Sequence, residues 1–497
     1  DLPNGVYRIT VKQANFKEGV VQNVELHASS TALVNVQLAM GNTSEKVTVE
    51  ANTIQVQTDS AQLGEVVEGG QVRDLPLNGR NFVALTQLQP GVSSARTFDA
   101  VGKGLKGGVD FGVNGNSMAN NLFLVDGANN NDVGSNRTIL VYPSLESIAE
   151  FKMLRNAYGP EYGQASGAVV NIVTRSGGNQ FHGSGFYSGR NDVLNAYDWF
   201  SAGQAAQDRA RGVWSNPNHD KPVLQRNDFG YSFGGPIKRD KLFFFWNQEW
   251  NREVRGVHRS GCVPTAGERT GDFSGGISCG DTLTAIPVEF QAAGNPWQIA
   301  QPLQATLDQM GNYPLPNITC PLTPPGSGNN QAASDCGNNW LSNPSSHLNY
   351  RQENIRVDYN LTQTHALTFR YTQDTWVNPA PSAGYWGDDS FPQLESNWAQ
   401  PAKSIIGRLT STIGAKLINT VEFSYSNNRI NITPGGTTPA LAATLNADFP
   451  TLFPTDLKSH PVGIPALNLG TTGGTTQMLA PWSNKQDLYN VRDDVSW

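Results

Sequence analysis

Charge is scarce in this chain. Asp, Glu, Lys and Arg make up 15% of its 497 residues, against about 25% in an average soluble protein. A basic surplus is missing as well: the net charge is −7, so there is no electrostatic footprint for nucleic acid. No apolar run approaches the roughly 20 residues that a membrane-spanning helix requires. The most apolar short stretch, Leu242 to Trp246 (LFFFW), is far too brief to cross a bilayer as a helix. Catalytic signatures are wanting too. The seven histidines, His27, His182, His219, His258, His347, His365 and His460, are scattered with no H-E-x-x-H. None of the four cysteines forms a C-x-x-C, which argues against zinc. Asn129 to Asp132 beside Asp126 miss the spacing of a calcium loop, so a solvated turn is expected there. The sequence therefore assigns no catalytic, cofactor-binding or metal-binding residue, and an enzyme is not expected. An initiator methionine and an export signal are also lacking before Asp1, and Trp497 falls inside a strand-like run, so the chain reads as a fragment and says nothing about export.

What is plentiful is glycine (51) and aromatics (Phe 21, Tyr 14, Trp 11). Turn-rich strands with aromatic girdles need both. Only helices and closed sheets satisfy backbone polar groups in lipid, so strands are the remaining way for this chain to cross a membrane. From Gln180 onward the period is two. Ile355, Val357 and Tyr359 alternate with Arg356, Asp358 and Asn360; Leu367, Phe369 and Tyr371 with Thr368, Arg370 and Thr372; Val421, Phe423 and Tyr425 with Glu422, Ser424 and Ser426. A lipid-facing barrel and a soluble sandwich both produce this alternation, which by itself leaves the two equally open.

Ahead of the alternating region lie shorter blocks. Val6, Ile9, Val11, Val20, Val24, Leu26, Val34, Val36 and Leu38 fall in strand-like runs near the N-terminus. The stretch NTSEKVTVEANTIQVQTDSAQLGEVV is polar and β-branched, suited to staying extended and adding to another sheet's edge. Then come VRDLPLNGRNF, a helix-like FVALTQLQPGV ended by Pro90-Gly91, NGNSMANNLFLVDGANNND with a turn at Asp126-Gly127, and PSLESIAEFKML, expected to be a short helix and a strand. NAYGPEYGQASGAVVNIVTRSG follows, with small residues at Gly163, Ala165, Gly167 and Ala168 for close backbone approach and Val169, Val170, Ile172 and Val173 for a buried strand. Gly102 to Gly107 satisfies G-x-G-x-x-G literally, but neither a preceding strand nor a following helix is present, so it reads as a loop.

These blocks, in this order, resemble the plug domain of TonB-dependent outer-membrane receptors of the Oar-like kind. FGYSFGGPIKRDKLFFF and VPTAGERTGDFS are similar to the early barrel hairpin and first long loop of the same family, and NGVYRITVKQANFKEGVVQNVELHASSTALVNVQLAMG to the tail of a carboxypeptidase-regulatory-like β-sandwich. The resemblance implies a mainly β fold: the end of a β-sandwich (1–42), a TonB-box-like linker (43–58), an α+β plug domain (59–176) and the first strands of an incomplete outer-membrane antiparallel β-barrel (177–497). Seven or eight strand candidates follow residue 180, against roughly 22 in a plugged transporter barrel, so an open sheet partly wrapped around the plug is expected. The segment Glu45, Lys46, Val47, Thr48, Val49, Glu50 and Ala51 is similar to the TonB box that receptors present to the periplasmic energy transducer, a plain interdomain strand being the alternative.

The family's function implies uptake of an extracellular solute (oligosaccharide, peptide or chelate) through the bacterial outer membrane, with the transducer and outer-membrane lipid as partners and no cofactor. A non-transporting surface protein or adhesin, and a soluble glycan-binding β protein, are the alternatives. Cys262, Cys279, Cys320 and Cys336 cluster in one Gly/Pro/Asn-rich stretch; in an exported loop this suggests disulfides, with Cys262 to Cys279 and Cys320 to Cys336 the short-range pairing among three. Trp297, Trp340, Trp376, Trp386 and Trp398 sit in or beside loops, where interface anchoring and loop packing are favoured over ligand contact.

Overall fold

The computed structural model describes residues 5–26, 34–41, 46–50, 63–94, 111–134, 136, 138–196, 223–256, 259–261, 263–274, 288–300, 315–316, 340–342, 345–379, 395–414, 417–435, 467–468, 475–476 and 482–497. Three sheets, of three, five and nine strands, carry the fold. In the first, β1 (Gly5–Val11) and β2 (Glu18–Leu26) pair antiparallel with a register break between Tyr7 and Ile9. Opposite that break the chain bulges at Asn23, whose φ is 59°. Val20, Val21 and Val24 are buried.

The run Val34, Val36, Leu38 is not a strand. It lies over β2 at Gly19, where an added Cβ would come within 3.0 Å of the Val36 side chain and 2.9 Å of Leu38. Glycine leaves a flat spot on the sheet, and these apolar residues cover it instead of extending the ladder. The chain then returns as β3 (Lys46–Glu50), parallel to β2. A parallel neighbour requires a crossover of a dozen or more residues, which 27–45 supplies.

The second sheet contains β4 (Leu63–Glu68), β5 (Leu122–Val125), β6 (Ala128–Asn129), β7 (Ile148–Asn156) and β8 (Val169–Thr174), in the order β4-β7-β8-β5-β6. Central β8 runs parallel to β5 and antiparallel to β7. Being covered on both faces, it is apolar almost throughout rather than alternating. On one side Phe123, Val125, Phe151, Met153, Val170 and Ile172 pack with Phe82, Val83, Leu85 and Phe111; on the other Leu122, Leu124, Leu154 and Val169 cluster. Gly167 is required by close approach, since a Cβ there would stand 2.5 Å from Asn121 Oδ1 and 3.2 Å from the Asn120 carbonyl. Gly163, by contrast, has room for one, with its nearest neighbour at 3.6 Å. The helix-like FVALTQL is a 3-10 segment, Phe82–Leu88, capped by Asn81 and closed by Gln89 N donating to Thr86 O at 3.1 Å. Before β7 the expected helix is one 3-10 turn, Leu145–Ser147.

The third sheet holds β9 (His182–Asn191), β10 (Leu224–Lys238), β11 (Leu242–Gly256), β12 (Ser345–Asn360), β13 (His365–Pro379), β14 (Glu395–Ala399), β15 (Ala402–Ile413), β16 (Leu417–Gly435) and β17 (Trp482–Ser496), all antiparallel. β14 and β15 both lie between β13 and β16. They are one strand position broken at Pro401, which has no N–H for the ladder. Nine strands thus fill eight positions of an open sheet whose edges are β9 and β17.

Connections alternate. Residues 239–241, 361–364 and 414–416 join strands at one rim, while 192–223, 257–344, 380–394 and 436–481 join them at the other. The expected turn at Lys238, Arg239 and Asp240 is present, with Lys241 N donating to Lys238 O at 3.1 Å. Polarity is inverted relative to a soluble sheet. Phe369 and Phe423 are 43% and 48% exposed on the convex face, while Arg370 and Ser424, their chain neighbours, are 1% exposed on the concave one. The second sheet, which spans the residues expected to form a plug (the plug sheet), sits against that concave face: Leu348, Tyr350, Trp376, Trp398, Ile430 and Ile432 share its apolar core.

Candidate functional site

The contact between plug and wall is built from charges on inward-facing strand positions. Asp126 occupies the β5–β6 turn with φ 50°, followed by Gly127 at 88°. Its carboxylate accepts from Arg370 Nη1, Thr174 N and Thr174 Oγ1, each at 2.8 Å, and lies 3.6 Å from Arg356 Nη1. Arg408 Nη2 donates to the Asp126 carbonyl. Arg356 is also held by Asp358 at 3.0 Å and Arg408 by Glu422. Period-two alternation puts these arginines on the concave face of β12, β13 and β15, and the register sets Arg356 directly opposite Arg370. Like charges facing each other across a ladder repel; here a plug carboxylate lies between them. Burial pushes the Asp126 pKa up, but Arg370, Arg356 and the two Thr174 bonds outweigh it and hold the carboxyl below its ordinary range.

A second cluster fixes the plug segment that begins its first helical turns. Arg80 Nε donates to Glu249 at 3.1 Å and Nη2 to Glu146 at 3.3 Å, with the guanidinium 3.8 Å from the Phe186 ring centre. Ser144 Oγ donates to the other Glu249 oxygen at 2.5 Å. Arg226 on β10 bonds Asp228 at 2.7 Å, Glu253 at 3.2 Å and the Gly79 carbonyl at 3.0 Å. A third contact joins Tyr142 N to Asp374 at 2.9 Å and Gln352 Nε2 to Tyr142 O. Arg226 stands near the long-connection end of its strand and Arg356 near the short-connection end of its own. The plug is therefore held at both ends of the wall.

Sequence reading placed Arg356, Arg370 and Glu422 on the polar face but missed their joint role with Asp126, Arg80 and Glu249. The available signal was the cost of burying a charge on the inward face of a strand, which demands a partner there. Trp376 and Trp398 are buried against the plug core near the long-connection rim. This corrects the expectation of interface anchoring for these two and accords with packing. The outward aromatics are others: Phe229 stacks on Trp250 with ring centres 5.5 Å apart, Tyr231 lies 6.1 Å from the same Trp250, and Phe233 packs on Phe244 at 5.6 Å. Lys46, Val47, Thr48, Val49 and Glu50 form β3, while Glu45 and Ala51 lie outside the described residues, as do Trp386, the Gly102 to Gly107 loop and Cys262, Cys279, Cys320 and Cys336. Among the described residues no group of three or more His, Cys, Asp or Glu is placed to hold a metal.

Comparison with known proteins agrees with this architecture. The family described as outer membrane beta barrel domain matches residues 173–497. TonB-dependent transporter Oar of Myxococcus xanthus is 29% identical over 254 residues, covering 49% of this chain and 22% of the relative, so the chain spans less than a quarter of that protein's length. Among solved structures, the outer membrane transporter YddB from Escherichia coli is 10% identical over 87% of this chain and 45% of its own, with a TM-score of 0.49. The ferric enterobactin receptor PfeA from Pseudomonas aeruginosa is 11% identical over 86% and 46%, with a TM-score of 0.43. These relatives are transporters and receptors, not enzymes. With most of its length matched, and with aromatic strands turned outward around a plugged concave face, the chain belongs to the outer membrane beta barrel domain family and is a protein of the bacterial outer membrane.

Proposed function

We propose that the chain is the plug-bearing part of a TonB-dependent outer-membrane receptor that takes up an extracellular solute, an oligosaccharide, peptide or chelate, when a periplasmic transducer acts on the segment around Lys46 to Glu50. The observation that carries this reading is a folded domain seated on the polar concave face of an amphipathic strand wall and tied to it by ion pairs beside an apolar patch formed by Leu348, Tyr350, Trp376, Trp398, Ile430 and Ile432. A wholly apolar seam would make displacement costly over its whole area. Ion pairs and hydrogen bonds can be exchanged for water as a path opens, because the net contribution of each is small once both partners are solvated.

The test is direct. Val47→Pro removes a backbone N–H from a segment whose recognition rests on backbone pairing, and binding of the transducer's periplasmic domain to the receptor should be lost. Unchanged binding removes the assignment. A second reading, a non-transporting surface protein with a permanent stopper, is favoured by the number of plug-to-wall bonds. It predicts that the bound plug never becomes accessible from outside, whatever the transducer does.

A further inference from the structure

We infer that Arg73 and Arg175 form an oxyanion site at the short-connection end of the seam between plug and wall, built for a carboxylate or phosphate group carried by a small solute. The two arginines come from distant parts of the chain. Arg73 stands in the last turn of the short helix α1 (Gly69–Asp74), and Arg175 follows directly on β8. Both are partly buried and both reach the start of β7. Arg73 Nη1 donates to the Ile148 carbonyl and Arg175 Nη1 to the Glu146 carbonyl, each at 3.4 Å, while Arg175 N donates to Ser147 O at 2.7 Å. The guanidiniums thus hang from carbonyls two residues apart. Burial, and then the neighbouring Arg73 charge, push the Arg175 pKa down, and Glu146 offsets part of this.

Neither cation is answered by a carboxylate. Glu146 is already engaged, one oxygen by Arg80 Nη2 at 3.3 Å and the other by Ser184 Oγ at 3.0 Å. Among the described residues no ion pair includes Arg73 or Arg175. Their bonds to carbonyls are longer than the usual range of about 2.7–3.2 Å, and most N–H groups of each planar fork have no protein acceptor. Two such forks repel each other, and an oxyanion between them reverses the sign of the interaction while matching their geometry. The surroundings strengthen it. The Phe245 ring, fully buried, has its centre 5.1 Å from the Arg175 guanidinium, and an apolar neighbour raises the worth of a charge-assisted bond. Phe245 lies on β11 just beyond the short connection 239–241. On the receptor reading that rim faces the periplasm, so an anion held here is one leaving the barrel. The inference rests on that reading for the source of the anion and deepens it by making the solute an anionic one.

Inorganic phosphate is the probe, with the full receptor in detergent. Phenylglyoxal modifies arginines, and peptide mapping gives the rate at each. Saturating phosphate should slow modification of Arg73 and Arg175 by about fivefold or more, following the unliganded fraction, and leave Arg239 on the neighbouring connection unchanged. Equilibrium dialysis with radiolabelled phosphate should show affinity falling by about tenfold or more in Arg175→Gln, from the lost charge-assisted bonds. Arg175→Lys, which keeps the charge but not the fork, should lose less, and Arg239→Gln should lose nothing. No protection of Arg73 and Arg175, or equal protection of Arg239, overturns the site. So does unchanged affinity in an Arg175→Gln protein of wild-type folded mobility on unheated gels; if that variant does not fold, protection in the wild type decides. None of these measurements involves the transducer, so their failure leaves the receptor reading in place, and the Val47→Pro experiment judges that reading separately.

Discussion

Arg370 is a cation 1% exposed, inside a sheet, with its charge answered by an aspartate 244 residues earlier in the chain. Asp126→Asn would leave Arg370 and Arg356 facing each other with no anion between them. Removing one member of a buried pair costs about 3–5 kcal/mol, so this variant should release the plug to external protease at a lower denaturant concentration than wild type, while Asp494→Asn at the solvated edge should not. The pH dependence follows from the same group. Its folded pKa is depressed, so its stabilisation is complete above the unfolded carboxylate value of about 3.9 and is lost as pH falls through the lower folded value. Plug protection from protease should hold flat from neutrality to about pH 4 and decline only below it. At this scale the sequence discloses which way Arg370 points, because Thr368 and Thr372 flank it in a period-two strand. It does not disclose Asp126 as partner, because nothing local encodes a contact across two domains.

Strands of the wall were legible wherever one face is apolar: β12, β13 and β16 coincide with the alternating runs, since a one-residue slip would turn every phenyl ring inward. Elements lacking that constraint were less so. FVALTQL has helix-compatible apolar spacing yet closes as 3-10 over Phe82–Leu88, and Val34, Val36 and Leu38 alternate like a strand while serving as a lid on Gly19. Both outcomes depend on what lies opposite, which spacing cannot report. The pairing of β11 with β12 is another instance, since 257–344 intervenes and register is set by the wall rather than by a turn. That intervening stretch contains all four cysteines. Non-reducing peptide mapping of secreted-compartment protein should yield Cys262 linked to Cys279 and Cys320 to Cys336; free thiols or crossed pairs would remove the proposal.

Taken whole, the molecule is economical in charge because much of its surface is meant for hydrocarbon. The low proportion of charged residues noted at the outset finds its cause in the convex face, where Phe229, Phe233, Leu367, Phe369, Val421 and Phe423 are exposed together. A soluble glycan-binding protein would have to cover them with a second sheet. Placing a charge there is the global test. Phe423→Arg should cost about 2–4 kcal/mol if the position lies near the bilayer midplane, reducing the folded, heat-modifiable fraction in membranes. Phe423→Leu should leave it unchanged.

The alternation of connections, three short ones at one rim and four long ones at the other, divides the sequence into two regimes of inheritance. Residues at the short rim are committed to register: inserting even one shifts a ladder. Those at the long rim answer to no rung of the wall, only to short two-stranded pairings of their own such as Arg259–Gly261 with Trp340–Ser342, so substitutions and insertions there leave the wall's register intact. A lineage carrying this fold can thus vary one rim on a far shorter evolutionary clock than the wall and the domain it holds.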